Sequence, residues 1–142
     1  MVSLRGRKVY LDANTIIYAV ELAHQVPSLQ NGLLRPLDGQ EFTAVSSEIT
    51  LAETIIGPRR AGNAVNEQLF RAFLTPSSNF HLQPITLAVV EKLIDLRAQY
   101  ALKIPDAIHV ATGILAGCDL FVIADRAWSK VGITVVDPAD VG

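Results

Sequence analysis

Short apolar runs alternate along this chain with stretches whose apolar residues recur at helical spacing. Lys8 to Asp12 (KVYLD) is the first run, and Asn14 to Ala23 follows it with Ile16, Ile17, Ala19, Val20 and Ala23 on one helical face, so a strand and then a helix are predicted. Leu29, Leu33, Leu34 and Leu37 fall between Pro27 and Gly39, which fits a short helix or a structured loop. Phe42 to Ser46 reads as a second strand and Glu48 to Ile56 as a helix that stops at Gly57-Pro58. Asn63 to Leu74 is amphipathic, Phe80 to Ile85 reads as a short strand, and Leu87 to Tyr100 carries Val89, Val90, Leu93, Ile94 and Leu96 at helical positions. Pro105 suits the first turn of a helix reaching about Leu115, where its missing N–H costs nothing. Asp119 to Ala124 and Ile133 to Val136 close the series as strands. Such alternation predicts an α/β fold of three layers, α/β/α, around a mostly parallel sheet of about five strands. With no repeat, linker or low-complexity stretch, residues 1–142 are expected to form a single domain.

Composition supports a filled core. Half of the 142 residues are apolar and 18% are charged, enough for a buried interior without disulfide staples. The single cysteine, Cys118, lies in the apolar stretch Ile114 to Ile123 and reads as a core thiol in a reducing compartment. Asp12 and Asn14 interrupt the apolar run that follows Arg5, Arg7 and Lys8, where a secretion signal needs its hydrophobic region. The longest apolar stretch, Ala107 to Ala124, holds His109 and Asp119. A soluble, cytoplasmic protein with no membrane partner is therefore expected. The formal net charge of −2 shows no basic excess for a nucleic-acid backbone, but carboxylates that gather divalent cations lower formal charge while being neutralised in use.

The placement of acids changes the picture most. In open α/β sheets ligands bind at the carboxyl ends of the strands. Asp12 follows Val9-Tyr10-Leu11 and Asp125 follows Leu120 to Ala124, so both emerge at that rim. Glu53 lies in the helix after the second strand, and Asp106 in the first turn of the helix begun by Pro105. Taken singly, Asp12 reads equally well as a helix cap and Asp106 as a complement to a helix dipole. Glu53 shares its helix with Ile49, Leu51, Ile55 and Ile56, and a carboxylate facing inward needs a partner. Together the four suit one or two Mg²⁺ or Mn²⁺ ions, which prefer oxygen ligands, activate water and stabilise a phosphodiester under attack.

Other polar residues carry weaker signals. His109 sits three residues after Asp106 on the same helical face, where it could reach a phosphate or a water as an acid–base group, but a structural or supporting role is the expected one. His24 and His81 have no companions at ligand spacing. Arg59, Arg60, Lys103 and Arg126 are candidate phosphate grips, though solvated loop charges are the commoner reading. Trp128, Phe70 and Phe73 read as core rather than as base-stacking platforms. The chain has no phosphate-binding GxxxxGK loop, no HExxH, no CxxC and no GxSxG. An aspartyl-phosphate mechanism on Asp12 lacks its proton donor two residues on, where Asn14 stands.

Four segments combine into a pattern: Leu11-Asp12-Ala13-Asn14; Ser47-Glu48-Ile49-Thr50-Leu51-Ala52-Glu53; Lys103-Ile104-Pro105-Asp106-Ala107-Ile108-His109-Val110-Ala111; and Ala124-Asp125. This resembles the PIN-domain ribonucleases, especially the VapC-type toxins of toxin-antitoxin pairs, over nearly the whole chain. The resemblance implies a metal-dependent endoribonuclease in which Asp12, Glu53, Asp106 and Asp125 are catalytic and hold Mg²⁺ or Mn²⁺, with Asn14 and Ser47 as polar supports. It further implies an RNA substrate, a homodimer, and a small antitoxin protein that inserts a side chain into the acidic site. Where many relatives place a hydroxyl and then a polar residue before the last aspartate, this chain has Ile123-Ala124. The alternative is a non-catalytic RNA-binding or protein-interaction module with the same fold.

Overall fold

The computed structural model describes residues 1–142, apart from the side chain of Arg126. Its sheet comprises β1 (Lys8–Leu11), β2 (Thr43–Ser47), β3 (Phe80–Gln83), β4 (Leu120–Val122) and β5 (Val135–Val136), in spatial order β3-β2-β1-β4-β5. Every pairing is parallel, with Tyr10 opposite Val45 on one side and Phe121 on the other. Strands buried on both faces need no polar alternation, which is why Val9, Tyr10 and Leu11 form one unbroken apolar run. Chain order reverses across β1, with β2 on one flank and β4 on the other. The crevice at their carboxyl ends is thus a topological switch point, where such sheets bind ligands.

Helices α1 (Ala13–Leu22), α2 (Arg35–Asp38), α3 (Glu48–Arg60), α4 (Ala64–Phe73), α5 (Leu87–Gln99) and α6 (Ile104–Leu115) cover the sheet. Val9, Leu11, Ile16, Leu33 and Phe70 build the core on one face. Tyr10, Val45, Leu96, Val110, Phe121 and Trp128 build it on the other. This is the three-layer α/β/α arrangement that the sequence predicts. Caps fix where the helices start: Asp12 accepts from Thr15 N at 2.9 Å, Ser47 from Ile49 N at 3.1 Å and Asn63 from Asn66 N at 3.0 Å.

Two boundaries differ from expectation, at the end of α3 and at the end of β4, and the 27–39 region takes the helical one of its two expected forms. Helix α3 passes through Gly57-Pro58 instead of stopping there. Proline removes one helical N–H, but so near the end that Ala61 N still reaches Gly57 O at 3.1 Å and Asn63 N reaches Pro58 O at 2.9 Å. Arg59 and Arg60 then fall in the last turn, where cations suit the dipole. The 27–39 region is helical, a π-helical segment at Leu29–Leu34 running into α2. Strand β4 ends at Val122, so Asp125 stands past the strand as the cap of a 3₁₀ segment, Arg126–Val131, accepting from Ala127 N at 2.9 Å.

Candidate functional site

Asp12 is the first residue after β1, and its cap on α1 leaves it only 6% exposed. The turn is clamped from the neighbouring strand, since the Thr15 hydroxyl donates to Val122 O at 2.8 Å. On the other flank the Ser46 hydroxyl donates to Leu11 O at 2.7 Å and pairs with the Thr50 hydroxyl at 2.7 Å, which fixes how α3 leaves the sheet. Glu53, three residues beyond Thr50, is thereby carried to the same rim. Its side chain is 35% exposed, and Oε1 lies 2.6 Å from His109 Nε2. Asp106, half-buried in the first turn of α6, completes the approach from the other layer.

The acids sense one another electrostatically. Burial pushes the Asp12 carboxyl above the usual carboxylate range and the Glu53 charge adds to this, while hydrogen bonds from Thr15 and the proximity of His109 oppose it. Burial likewise raises Asp106, reinforced by Asp125 and Glu53 and opposed by His109 and Lys103. Glu53 thus bears on both Asp12 and Asp106, and Asp125 bears on Asp106; each of the four offers oxygen, the donor that Mg²⁺ and Mn²⁺ favour. Among the described residues no three His, Cys, Asp or Glu side chains already stand in a ligating cluster. Asp12, Glu53 and Asp125 each commit one oxygen to a protein partner: Thr15 N, His109 and Ala127 N respectively.

The expected supports take different places. Ser47 is buried and caps α3, whereas Asn14 is exposed in the first turn of α1. His109 is 2% exposed, held at Nδ1 by the Tyr10 hydroxyl at 2.5 Å, and stacked on Trp128 with ring centroids 5.8 Å apart. Tyr10 and Trp128 were legible in the sequence only as apolar core residues. Their signal, visible in retrospect, is proximity along the chain: Tyr10 precedes Asp12 by two residues and Trp128 follows Asp125 by three.

Of the candidate cations, Arg59 is bound to Glu67 at 2.7 and 3.1 Å. Glu67 also meets Arg71 at 3.1 Å, and the two arginines hold its carboxyl down at about 2. Arg60 and Lys103 are exposed, and the Arg126 side chain lies outside the described residues. Phe70 is core, and Phe73 packs edge-on to Phe80 at 5.9 Å. Cys118 is half-buried against the second core face, and burial pushes its thiol up to about 12. His24 meets only the Gln25 side chain, at 3.1 Å, and His81 is half-buried on β3.

Comparison with known proteins fits this geometry. The chain is similar to a toxin-antitoxin complex from Klebsiella pneumoniae at 25% identity and a TM-score of 0.67, over 92% of this chain and 97% of that one. It is also similar to VapBC2 from Rickettsia felis, bound to a DNA fragment from their promoter, at 18% identity and a TM-score of 0.74, over 92% and 98% of the two chains. VapC20 of Mycobacterium tuberculosis, a sarcin-ricin loop cleaving toxin, aligns at 16% identity and a TM-score of 0.68, over 92% and 99%. No curated protein sequence matches the chain. The family model for the PIN domain matches residues 9–133, nearly the whole length, and the chain belongs to the PIN domain family.

Proposed function

We propose that this PIN domain is a Mg²⁺- or Mn²⁺-dependent endoribonuclease and the toxin of a toxin-antitoxin pair. The observation that carries this reading is the gathering of acids at one switch-point crevice, where Glu53 bears electrostatically on both Asp12 and Asp106, and Asp125 bears on Asp106. Like charges brought together at a rim destabilise one another unless a cation intervenes. Asp12, Glu53 and Asp106 are the primary ligands in this reading, and Asp125 completes the set. When bound, the cation lowers the pKa of a coordinated water and neutralises charge on the phosphodiester under attack.

The chain's own residues supply the rest. Asp12, buried and held as the cap of α1 by accepting from Thr15 N, is fixed before substrate arrives, so no reorganisation is needed at the moment of reaction. Lys103 stands exposed at the start of α6, beside Asp106, where a phosphate would enter. Arg60 lies seven residues after Glu53 on α3, two turns and roughly 10 Å along the same face, in reach of a neighbouring phosphate. Both charges are suited to the backbone of RNA and indifferent to its sequence.

The toxin assignment draws support from the similar Klebsiella toxin-antitoxin complex and from the M. tuberculosis toxin that cleaves the sarcin-ricin loop. A groove of about 310 Å³ opens beside Glu53, lined by Ile17, Glu21, Pro58 and Asn66 among others. Its two carboxylates suit a cationic side chain of an antitoxin. Leu87, Val90 and Ile94 form an exposed apolar stripe on α5 suited to a second copy of the chain. No described helix is long and apolar enough to cross a membrane, consistent with action in the cytoplasm.

Purified protein incubated with a mixed RNA pool should cut in Mg²⁺ and in Mn²⁺ and stop in chelator. Cutting that persists in chelator would contradict the metal mechanism. Folded, Mn²⁺-binding protein that cuts no RNA would instead favour a non-catalytic binding module.

A further inference from the structure

Three side chains converge on the buried His109 ring, which the proposed mechanism does not use. The Tyr10 hydroxyl meets Nδ1 at 2.5 Å, Glu53 Oε1 meets Nε2 at 2.6 Å, and the Trp128 ring lies across one face at an interplanar angle of 25°. Tyr10 also packs edge-on against the imidazole, centroids 5.7 Å apart. We infer that Tyr10, His109 and Trp128 form a positioning relay that sets the Glu53 carboxylate in register with the other acids, an inference that rests on reading Glu53 as a metal ligand.

The direction of the relay follows from donor arithmetic. Tyr10 is wholly buried, and its hydroxyl has one proton to donate. His109 Nδ1 lies within hydrogen-bond reach of it, and with Nδ1 accepting, the ring proton resides on Nε2. Nε2–H then donates to Glu53 Oε1, which turns the second carboxylate oxygen to other work.

The placement of the relay is the stronger observation. Each member shares a short segment with one acid: Tyr10 is two residues before Asp12, His109 three after Asp106, and Trp128 three after Asp125, whose carbonyl its own N–H meets at 3.4 Å. The free end of the relay binds the fourth acid, Glu53. Four segments separated in sequence are thereby locked through one ring. Trp128 Nε1 is buried with no hydrogen-bond partner among the described residues. Burial of an unpaired N–H is unfavourable, so the indole serves here through its flat face rather than its donor.

Mn²⁺ binding, read from the EPR signal of free Mn²⁺, separates positioning from packing. His109→Phe keeps a ring for Trp128 but has no donor for Glu53, and should weaken Mn²⁺ binding about 10- to 100-fold, the usual effect of losing a partner of a metal ligand. His109→Gln packs less well yet places an amide donor near the Nε2 position, and should recover affinity to within about tenfold of wild type on the same scale. Tyr10→Phe, which removes one hydroxyl and leaves the ring, should fall between wild type and His109→Phe, and decides the matter if His109→Gln does not fold by circular dichroism. The emission of Trp128, the single tryptophan, should respond to saturating Mg²⁺ in wild type and not in His109→Phe. His109→Phe binding as tightly as wild type, or more tightly than a folded His109→Gln, overturns the relay. Wild-type protein that binds no Mn²⁺ overturns the reading of the site itself, and the relay with it.

Discussion

Asp12→Asn should lose RNA cleavage by about a thousandfold or more while folding as well as the wild type. Removing one ligand of a catalytic cation forfeits roughly 4 kcal/mol of transition-state stabilisation, at about 1.4 kcal/mol per factor of ten. The substitution is gentle to the fold because Asn caps helices about as well as Asp, and its amide oxygen can accept from Thr15 N as Asp12 Oδ1 does at 2.9 Å. The same variant carries a pH signature. Asp12 and Asp106 are both raised above 3.8 in the folded protein, burial being the largest cause. A raised acid contributes stability that is fully present below its unfolded pKa and lost as pH rises through its folded value. In chelator, wild-type thermal stability should therefore fall as pH climbs from about 3.8 towards neutrality. Asp12→Asn should fall less, because only the Asp106 contribution remains, and its melting temperature at pH 7 should exceed that of wild type. Normal cleavage by Asp12→Asn would remove Asp12 from the chemistry.

Gly113→Ala should be among the most destabilising single changes in the chain. A Cβ at this α6 position would collide with the Phe121 ring and come within 3.1 Å of Tyr10 Cδ2. Neither ring has room to retreat, since both are buried, 5.3 Å apart, in the core between α6 and the sheet. Overpacking of this kind costs about 3 kcal/mol, only partly offset by the roughly 1 kcal/mol better helix propensity of alanine. A net loss of about 2 kcal/mol lowers the melting temperature by several degrees, roughly 5–10 °C. Gly57→Ala is the control: it is also helical, and apart from its chain neighbours nothing lies within 4 Å of its added Cβ, but crowding by the following Pro58 offsets the better helix propensity, so the change should be small, within about 1 kcal/mol of neutral. Differential scanning calorimetry should give a large downward shift for Gly113→Ala and a small shift for Gly57→Ala, and a Gly113→Ala protein as stable as wild type would contradict the close approach of α6.

The order of strands and helices was open to reading because buried parallel strands declare themselves as unbroken apolar runs such as Val9-Tyr10-Leu11, and the helices as periodic ones. Pro58 misdirected the end of α3 because a proline signals a break without regard to how few helical bonds remain beyond it. The positions of Asp12, Asp106, Glu53 and Asp125 relative to strand ends were visible in the sequence, and so was the pattern they make. Their mutual influence was not, since it depends on the strand order β2-β1-β4, which no local pattern encodes. The Tyr10 bond to His109 joins residues 99 apart and depends on register between β1 and α6. An aromatic in an apolar run announces burial, but the partner of its hydroxyl is set by tertiary packing.

Central to the proposed function is one location: the divalent cation would sit among Asp12, Glu53, Asp106 and Asp125. Crystals soaked in Mn²⁺ and measured at the manganese edge test this directly. The predicted result is an anomalous peak at about 2.2 Å from carboxylate oxygens of Asp12 and Asp106, with Glu53 as a third ligand and Asp125 bound directly or through water. An anomalous peak elsewhere on the molecule, or none in crystals of protein that cleaves RNA in Mn²⁺, would contradict it.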